Sequence, residues 1–393
     1  MNFGYSNEET EYRERLSKFL DRELTMNIAR QNWEDLGVGK EGREFSQKLY
    51  ENGFLGMSYP LEYGGKGLNP TFDYILLDEL GKRWGAHIPL DVGYTMVGPT
   101  ILRRGSEKIK KEFLPRIIRG EIEFCLGYTE PDAGSDLSSI KMEAVEDGDN
   151  LVINGQKTFN TEAHYAEYHW LAVRTDTNTN TPKGKGISLI IVDMDSPGIR
   201  IRPMITMSGE QTNEVFYDNV RVSKSRIIGE MNKGFYYVLE AIGSERNQVF
   251  IPSRIIPILN ELINYVNKTT YNGKPLSADT LTRDKIAQAA IDIEVASVLA
   301  DHSRWLESNA MPMTYEPEVT KIFMSEAEQR LAKTSMEILG LFGQLMEDSK
   351  YVPIKGRISW EWLHSFMLTI GGGTSEVGRS VIAQRGLGLP RSF

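Results

Sequence analysis

This chain has a single cysteine and only five histidines. It also lacks long apolar runs, and its acidic residues outnumber its basic ones. The single cysteine, Cys125, excludes an intrachain disulfide and a zinc site built from clustered thiolates. The five histidines show no spacing typical of metal ligands, so we expect no metal centre. With 45 basic and 54 acidic residues, the net charge of −9 argues against nucleic acid as the main partner.

Apolar runs are too short for a membrane span. None approaches the roughly 18 residues that a spanning helix needs, and the longest, from Ile187 to Val192, suits a buried strand. The N-terminus lacks the basic and apolar regions of a signal peptide. We therefore expect a soluble, cytoplasmic protein. At 393 residues, 40% of them apolar, the chain is long enough for two or three domains.

Three stretches of different character follow one another along the chain. Residues 1–122 show helical spacing, and Ser6-x-x-Glu9 is a capping box that opens a helix reaching about Leu24. Residues 123–230 show short alternating runs separated by turn residues, which predicts an antiparallel β-domain. Residues 231–393 contain long amphipathic segments at 235–267, 278–309, 319–340 and 359–384, the last interrupted by the glycines at 371–373, and these segments predict a four-helix bundle. The predicted fold class is α+β, with helical, β and helical domains in that order.

Two stretches within the β region stand out as a candidate site. The first, Tyr-Thr-Glu-Pro-Asp-Ala-Gly-Ser-Asp, begins at Tyr128 and predicts a loop that exposes backbone N–H groups and hydroxyls after a strand. The second begins with a hairpin signal at Asn154-Gly155 and ends in an aromatic residue flanked by threonines. We call the residues at the end of the second stretch, 158–161, the platform. Such a loop and platform suit a planar ring with polar edges. An ordinary turn beside an ordinary hairpin is the alternative.

These motifs together resemble the acyl-CoA dehydrogenase flavoprotein family. The resemblance extends from the Tyr-Pro-x-x-Tyr-Gly-Gly stretch at Tyr59 to the Gly-Thr-Ser-Glu stretch at Gly373 and the closing Gly-Leu-Gly-Leu-Pro-Arg, so it covers nearly the whole chain. It implies an enzyme that binds FAD and oxidises an acyl-CoA thioester between its α and β carbons. In that family a carboxylate removes the α proton while the β hydrogen passes as hydride to flavin N5.

The family's usual base is missing here. The glutamate that commonly precedes the Gly-Thr pair is replaced by Gly372, next to Gly373, and glycine cannot accept a proton. Some members place the base in the first helix of the C-terminal bundle, before an arginine, and Glu245-Arg246 fits that pattern. The resemblance thus implies Glu245 as the base, with Arg246 and the two glycines near the substrate. A Glu–Arg pair on a solvated face is the alternative, and Asp91 is a weaker candidate for a second acid.

The resemblance also implies a set of cofactor contacts. It places the Tyr128 backbone and Thr129 at the pyrimidine edge of the flavin, Phe159 against the ring and Thr161 at N5. The remaining implied contacts are Gly134 and Ser135 in the loop, the latter also near CoA, Thr374 and Glu376 near the adenosine, and Glu337 and Gly340 in the pyrophosphate segment. Glu337 departs from the glutamine that the family has there, and Leu341 departs from a glycine.

Partners follow from the resemblance in the same way. It implies a homotetramer or homodimer that passes electrons to an electron-transfer flavoprotein. The Asn-Gly-Lys-Pro-Leu stretch at Asn272, Arg283 and the closing Gly-Leu-Gly-Leu-Pro-Arg resemble a bacterial branch of the family. Members of that branch act on bulky, branched, steroid-side-chain or dicarboxylic acyl-CoAs, and some form heterotetramers. Three alternatives remain open: a non-catalytic subunit of a heterotetramer, a flavin oxidase or monooxygenase on the same scaffold, and an enoyl-CoA reductase.

Overall fold

The computed structural model describes residues 1–29, 40–84, 92–178, 180–249, 251–346 and 349–390, and for residues 244, 245 and 247–249 it describes the backbone alone. Its contacts divide the chain into two compact units. The helical unit comprises Met1–Arg22, Pro70–His87 and Arg246–Phe393, and the sheet unit comprises Glu23–Asn69 and Ile88–Glu245. The three predicted domains, residues 1–122, 123–230 and 231–393, do not coincide with these two units, and their boundaries remain predictions.

The helices are α1 (Asn7–Glu23), α2 (Lys40–Glu51), α3 (Thr71–Gly81), α4 (Gly98–Arg104), α5 (Glu107–Ile118), α6 (Gly234–Val249), α7 (Ile256–Lys268), α8 (Thr280–Ser308), α9 (Glu316–Leu339), α10 (Arg357–Leu368) and α11 (Ser375–Val381). The strands are β1 (Phe124–Gly127), β2 (Glu143–Asp147), β3 (Asn150–Lys157), β4 (Tyr168–Arg174), β5 (Ile187–Asp193), β6 (Ile199–Ile205), β7 (Gln211–Ser223), β8 (Thr270–Tyr271) and β9 (Lys274–Pro275).

The capping box at the start of α1 is confirmed. The Ser6 backbone N–H donates to Glu9 Oε2 at 2.7 Å, and the Glu9 N–H donates to Ser6 Oγ at 3.2 Å. These two bonds satisfy backbone donors that a helix N-terminus leaves without an intrahelical partner. The local sequence therefore specifies where this helix begins.

The sheet unit contains a seven-stranded sheet in the order β1-β4-β2-β3-β7-β6, with β5 also paired to β4. Most pairings are antiparallel, as the alternating pattern predicted, but β1 lies parallel to β4. The apolar residues of one sheet face form the core of this unit, with Leu151, Leu171, Val192 and Val215 all fully buried. Cys125 belongs to the same core and is buried.

The helical unit has its own core between α7, α8, α9 and α10. Leu262 on α7, Ile293 on α8, Leu331 on α9 and Leu368 on α10 are among its buried residues. The spacing of these apolar side chains at helical intervals gives each helix one buried stripe. The prediction of a helical C-terminal region is therefore confirmed.

Two local predictions were wrong. Asn154-Gly155 is not a hairpin turn: β3 continues through it, with a register shift against β7 between Ile153 and Gly155 that marks a bulge. The segment predicted as one helix over 235–267 is two helices, because Pro252 begins a 3₁₀ turn between α6 and α7. Proline lacks the N–H that would continue the helical ladder.

Within the described residues, the helices are all too short or too polar to cross a lipid bilayer.

Candidate active site

A buried ion pair joins the two stretches that the sequence singled out. The Lys157 Nζ lies 2.8 Å from Glu130 Oε1 and also donates to the Tyr128 carbonyl at 3.2 Å. The other contacts of the Glu130 carboxylate are the backbone N–H groups of Lys141, at 2.6 Å, and Met142, at 3.0 Å. Lys157 is fully buried, and this burial lowers its pKa to about 8 while Glu130 opposes the shift. The pair thus ties the loop after β1 to the end of β3.

Phe159 presents an exposed ring from a strained backbone. Its φ is +56°, in the left-handed region that an aromatic residue seldom adopts, and its side chain is 66% exposed. Both neighbours are anchored: the Thr158 N–H donates to the Thr129 carbonyl at 3.0 Å, and the Asn160 N–H donates to the Asn213 carbonyl at 2.8 Å. Strain of this kind persists only where surrounding bonds enforce it, and it is concentrated at functional sites.

The two asparagines lock this platform further. Asn160 Nδ2 donates to the Leu126 carbonyl of β1 at 2.6 Å, and Asn213 Nδ2 donates to the Asn160 carbonyl at 2.9 Å. Thr161 follows, with its Oγ1 3.3 Å from Thr212 Oγ1 on β7. The platform is therefore bonded to β1 on one side and to β7 on the other.

The groups around Phe159 fit a flat aromatic ring with polar edges. The exposed phenyl ring supplies an apolar face. The half-buried Thr161, two residues further along the chain, and the half-buried Thr129, whose carbonyl accepts from the Thr158 N–H, supply hydroxyl groups. Gly134 and Ser135 lie exposed in the loop after β1. This donor set with an aromatic face is chemically compatible with a flavin ring.

A small apolar pocket lies at the two ends of that loop. Tyr128 precedes the loop and Leu137 follows it, and both contribute to the pocket wall together with residues of the sheet and of α6. The residues lining it are Tyr128, Leu137, Ile140, Ala172, Ile187, Phe235 and Val238. The pocket offers contact to a narrow, largely apolar group.

A second group of predicted residues comes together in the helical unit. Arg246 is buried and donates from Nε to the Gly372 carbonyl at 3.0 Å, and its Nη1 lies 2.5 Å from Glu318 Oε1. Lys321 Nζ donates to the Gly373 carbonyl at 2.7 Å. Arg246 is thus bound to the glycine loop at residues 371–373 and to α9, and its role in substrate binding stays a prediction.

Thr374 and Glu376 form the N-terminus of α11. Thr374 Oγ1 accepts a hydrogen bond from the Val377 N–H at 3.2 Å, as an N-cap residue does. Hydrogen bonds from its own backbone N–H and from the Thr374 side chain lower the pKa of Glu376. A helix-capping role is therefore present at these positions, and it is compatible with the cofactor contact that the resemblance implies.

Glu337 carries its charge beside two lysines. Its carboxylate pairs with Lys285 of α8 and, at 3.8 Å, with Lys333 one turn earlier on α9. The hydrogen bond from Lys285 and its charge lower the pKa of Glu337. Gly340 follows as the residue that ends α9, with φ +58°. The lysines offset the negative charge that made this position a departure from the family pattern.

Two candidate acids are described less fully. The backbone of Glu245 is helical within α6, and its side chain lies outside the described part of the structure. Asp91 lies outside the described residues altogether. The assignment of Glu245 as the base therefore remains a prediction.

Sequence reasoning missed the residues that hold these groups in place. The motifs predict no role for Glu130 and Lys157, although both lie within the two stretches, and they do not include Glu318, Lys321 or Asn213. A signal existed for two of them: Glu318 and Lys321 are three residues apart at the start of the predicted helical segment 319–340, and such a spacing places two side chains on one side of a helix. Their partners, however, lie 52 to 72 residues away in the chain.

Comparison with known proteins gives a consistent result over the whole chain. Family models match for the acyl-CoA dehydrogenase N-terminal domain at residues 6–121, the middle domain at 125–220 and the C-terminal domain at 232–387. The chain is 33% identical over 363 residues to acyl-CoA dehydrogenase FadE26 of Mycobacterium tuberculosis, covering 91% of this chain and 90% of that protein.

Solved structures agree with these matches. The Tcur3481-Tcur3483 steroid ACAD is 33% identical, with a TM-score of 0.90 and full coverage of both chains. The ChsE4-ChsE5 complex from Mycobacterium tuberculosis is 31% identical, with a TM-score of 0.88 and full coverage of both chains. The fold class predicted from the sequence is confirmed by these structures. The chain belongs to the acyl-CoA dehydrogenase family, whose members are oxidoreductases acting on CH–CH groups.

Proposed function

We propose that this protein catalyses the FAD-dependent α,β-dehydrogenation of an acyl-CoA thioester with a bulky acyl group. The observation that carries the proposal is the platform at Phe159, whose exposed ring is held in a strained conformation by hydrogen bonds on both sides. Phe159, Thr129 and Thr161 would hold the flavin ring. FAD supplies the hydride acceptor, at flavin N5, for the hydrogen that leaves the β carbon.

Glu245 would accept the α proton on its carboxylate. The position that the family most often uses for this purpose is Gly372, which has no side chain, and Glu245 stands at the family's other position. The structure supports a connection between the two positions, because the next residue, Arg246, is hydrogen-bonded to the Gly372 carbonyl. A general base contributes about 10²- to 10⁴-fold to the rate of such a proton transfer.

The CoA part of the substrate would be bound at the loop after β1. Tyr128, Leu137 and Phe235 line a small apolar cavity of about 10 Å³ at the ends of this loop, and these side chains would place apolar surface beside the CoA arm. Ser135 is exposed in the same loop and is available as a hydrogen-bonding group. In this proposal the loop orients the thioester while the platform orients the flavin.

A bulky acyl group is favoured by the composition of the glycine loop. Gly371 and Gly372 leave this part of the loop without side chains, which would give room to a branched, cyclic or steroid-side-chain substrate, whereas Arg246 fills the space beside Gly373. Among similar structures, the Tcur3481-Tcur3483 protein is a steroid ACAD. We propose the same broad substrate class for this chain.

Self-association and an electron-accepting partner complete the proposal. The segment after α9 exposes Leu341 and Phe342, apolar side chains that a second subunit would remove from water. We propose a homodimer or homotetramer that is reoxidised by an electron-transfer flavoprotein. Light scattering of the purified protein measures its oligomeric state. Reoxidation of the reduced flavin by a purified electron-transfer flavoprotein tests the electron acceptor.

The experiment that tests the function is an anaerobic titration of the purified yellow protein with a panel of acyl-CoAs, followed by flavin absorbance. We expect at least one branched, cyclic or steroid-side-chain thioester to bleach the flavin. Straight-chain thioesters should do so more slowly. Flavin that no thioester reduces would contradict the proposed reaction.

The assignment of the base is tested by Glu245→Gln. We expect this variant to retain FAD and to lose about 10²- to 10⁴-fold in the rate of flavin reduction, because the amide cannot take the α proton. Glu240→Gln is the matched control, since Glu240 lies on the same helix and pairs with Arg104 at the surface. Retention of the wild-type rate by Glu245→Gln would assign the base to another residue.

A further inference from the structure

We infer that Glu318 and Lys321, on α9, are positioning residues for the reaction, acting through Arg246 and the glycine loop at residues 371–373. The inference rests on the proposed function, because positioning has a meaning only for a chemical step. Neither residue belongs to the motifs by which the family was identified. Their role follows from the contacts that they make in the helical unit.

The three charged side chains form a buried cluster. Arg246 is 9% exposed, Glu318 6% and Lys321 2%. Burying charges away from water is costly unless they are paired and hydrogen-bonded. Glu318 provides the counter-charge for Arg246 at 2.5 Å. Without this carboxylate, Arg246 would lose the counter-charge that lies beside it in the described part of the structure.

The two cations bind consecutive carbonyl groups of the loop. Arg246 donates to the carbonyl of Gly372 and Lys321 donates to the carbonyl of Gly373. Hydrogen bonds from charged donors are roughly twice as strong as neutral ones. Because each carbonyl is fixed in direction, the orientation of both peptide planes is fixed as well.

The backbone of the loop needs such restraint. Gly372 has φ +64° and Gly373 has φ +95°, both in the left-handed region, and glycine has more backbone freedom to lose than any other residue. A Cβ at Gly373 would stand 2.5 Å from Arg246 Nη2, so the arginine occupies the space that a side chain would take. The loop and the arginine are therefore matched to each other.

Both ends of the loop are also anchored. The Gly371 N–H donates to the Met367 carbonyl at 2.7 Å, and the Ser375 N–H donates to the Thr369 carbonyl at 3.0 Å. The cations on α6 and α9 thus hold the one part of the loop that helix-end hydrogen bonds do not. A loop restrained in this way has a single shape.

The connection to the reaction comes through Arg246. It follows the proposed base directly in α6, and the loop that it binds contains the position where the family usually carries its base. Misplacing a reacting group by about 1 Å is enough to slow an enzyme about 100-fold. Loss of Glu318 would release Arg246 and with it the loop, so the chemical step should suffer more than substrate binding.

The first test is Glu318→Gln, which keeps the shape of the side chain and removes its charge. We expect kcat to fall about 10- to 100-fold while KM changes less than threefold. Glu326→Gln is the matched control, since Glu326 lies on the same helix and pairs with Arg379 at the surface. A wild-type kcat in Glu318→Gln would overturn the inference.

A charge swap separates positioning from mere stabilisation. In the double variant Arg246→Glu with Glu318→Arg the pair has opposite charges again, but residue 246 can no longer donate to the Gly372 carbonyl. We expect the thermal midpoint to recover relative to the single variants and kcat to remain low. Recovery of kcat together with stability would show that the pair is only structural and would overturn the inference.

A readout independent of activity covers the case in which the swap does not fold or no substrate reduces the flavin. Hydrogen exchange of the amides at residues 370–376 is measured in the wild type, Glu318→Gln and Glu326→Gln. We expect faster exchange in Glu318→Gln alone. Unchanged exchange there would overturn the inference, whereas failure of all thioesters with altered exchange would overturn only the proposed function.

Discussion

Glu328, on α9, is a buried carboxyl group surrounded by other charged side chains. Arg254 faces it from the 3₁₀ turn after α6, and Arg357, Glu361 and His364 face it from α10. Burial raises the pKa of Glu328 to about 7, an effect that Arg254 opposes. A large fraction of the molecules therefore carries a proton at this site near neutral pH.

This raised pKa predicts a pH-dependent stability. Below about pH 4.5 the group is protonated in both the folded and the unfolded chain. Between about 4.5 and 7 the unfolded chain releases the proton while the folded chain retains it, so the free energy of unfolding falls as pH rises. Glu328→Gln should remove this fall, on the order of 3 kcal/mol, in urea denaturation between pH 5 and 8.

Glu326→Gln serves as the control for this experiment, because its carboxylate lies at the surface of the same helix. It should keep the pH profile of the wild type. A Glu328→Gln profile that runs parallel to that of the wild type would show that Glu328 does not titrate in this range.

The contacts of single residues were the part of the structure least predictable from the sequence. The loop and the aromatic platform were predicted from Gly, Pro and Thr, whose local preferences extend over a few residues. The Glu130–Lys157 pair that joins them was not, since the two partners lie 27 residues apart and each looks like an ordinary surface charge in the sequence. A contact of that range depends on the register of the sheet.

At the scale of elements, α6 begins in close contact with a strand. A Cβ added at Gly234 would stand 2.4 Å from the Leu189 nitrogen and 2.4 Å from the Ser188 carbonyl carbon, both backbone atoms of β5. Backbone cannot move aside as a flexible side chain can. The helix can therefore lie this close to β5 only because residue 234 is glycine.

Gly234→Ala should destabilise the protein by about 1–3 kcal/mol, as overpacking does, measured by urea denaturation at constant pH. Gly243→Ala is the matched control on the same helix, since a Cβ there meets no atom of the described residues within 4 Å. It should stabilise the helix by up to about 1 kcal/mol. Equal effects of the two substitutions would mean that helix propensity alone decides the outcome.

The elements were predictable where one periodicity dominates. The spacing of apolar residues located α1 and the helices of the C-terminal bundle, since each buries a single stripe. It failed at Gly155, where the Asn-Gly pair that usually makes a hairpin forms a bulge, because β7 pairs with β3 on both sides of it. Pairing with the long strand β7 decides between a hairpin turn and a bulge at Gly155, and this pairing cannot be predicted from the local sequence.

At the scale of the whole molecule, the proposed cofactor should stabilise the folded state. Ligand binding at 100 times Kd adds about 2.7 kcal/mol to the free energy of unfolding, so FAD should raise the thermal midpoint of the apoprotein in a concentration-dependent way. Phe159→Ala should need about 3- to 10-fold more FAD for the same shift, since it removes the aromatic face.

Phe159→Trp, which keeps an aromatic face, is the control and should restore the shift to the wild-type level. Apoprotein whose thermal midpoint is unaffected by FAD would contradict the cofactor assignment. An unchanged FAD requirement in Phe159→Ala would contradict the role of the ring alone.

The order of helical, β and helical regions and the family were predictable from motifs spread over the whole chain. The identity of the base was not settled in the same way, because a glutamate before an arginine on a helix is common in proteins of every kind. The assignment depends on which side chain stands at the substrate's α carbon, a property of the assembled site rather than of any motif.

The burial of Cys125 has a practical consequence for studying this protein. Its thiol lies in the core of the sheet unit, and burial raises its pKa well above the ordinary value, so the reactive thiolate is scarce and shielded. Because the chain has no other cysteine, a cysteine introduced at a chosen surface position would be the sole reactive thiol. Fluorescent or spin labels could then be attached one site at a time, without first removing a native residue.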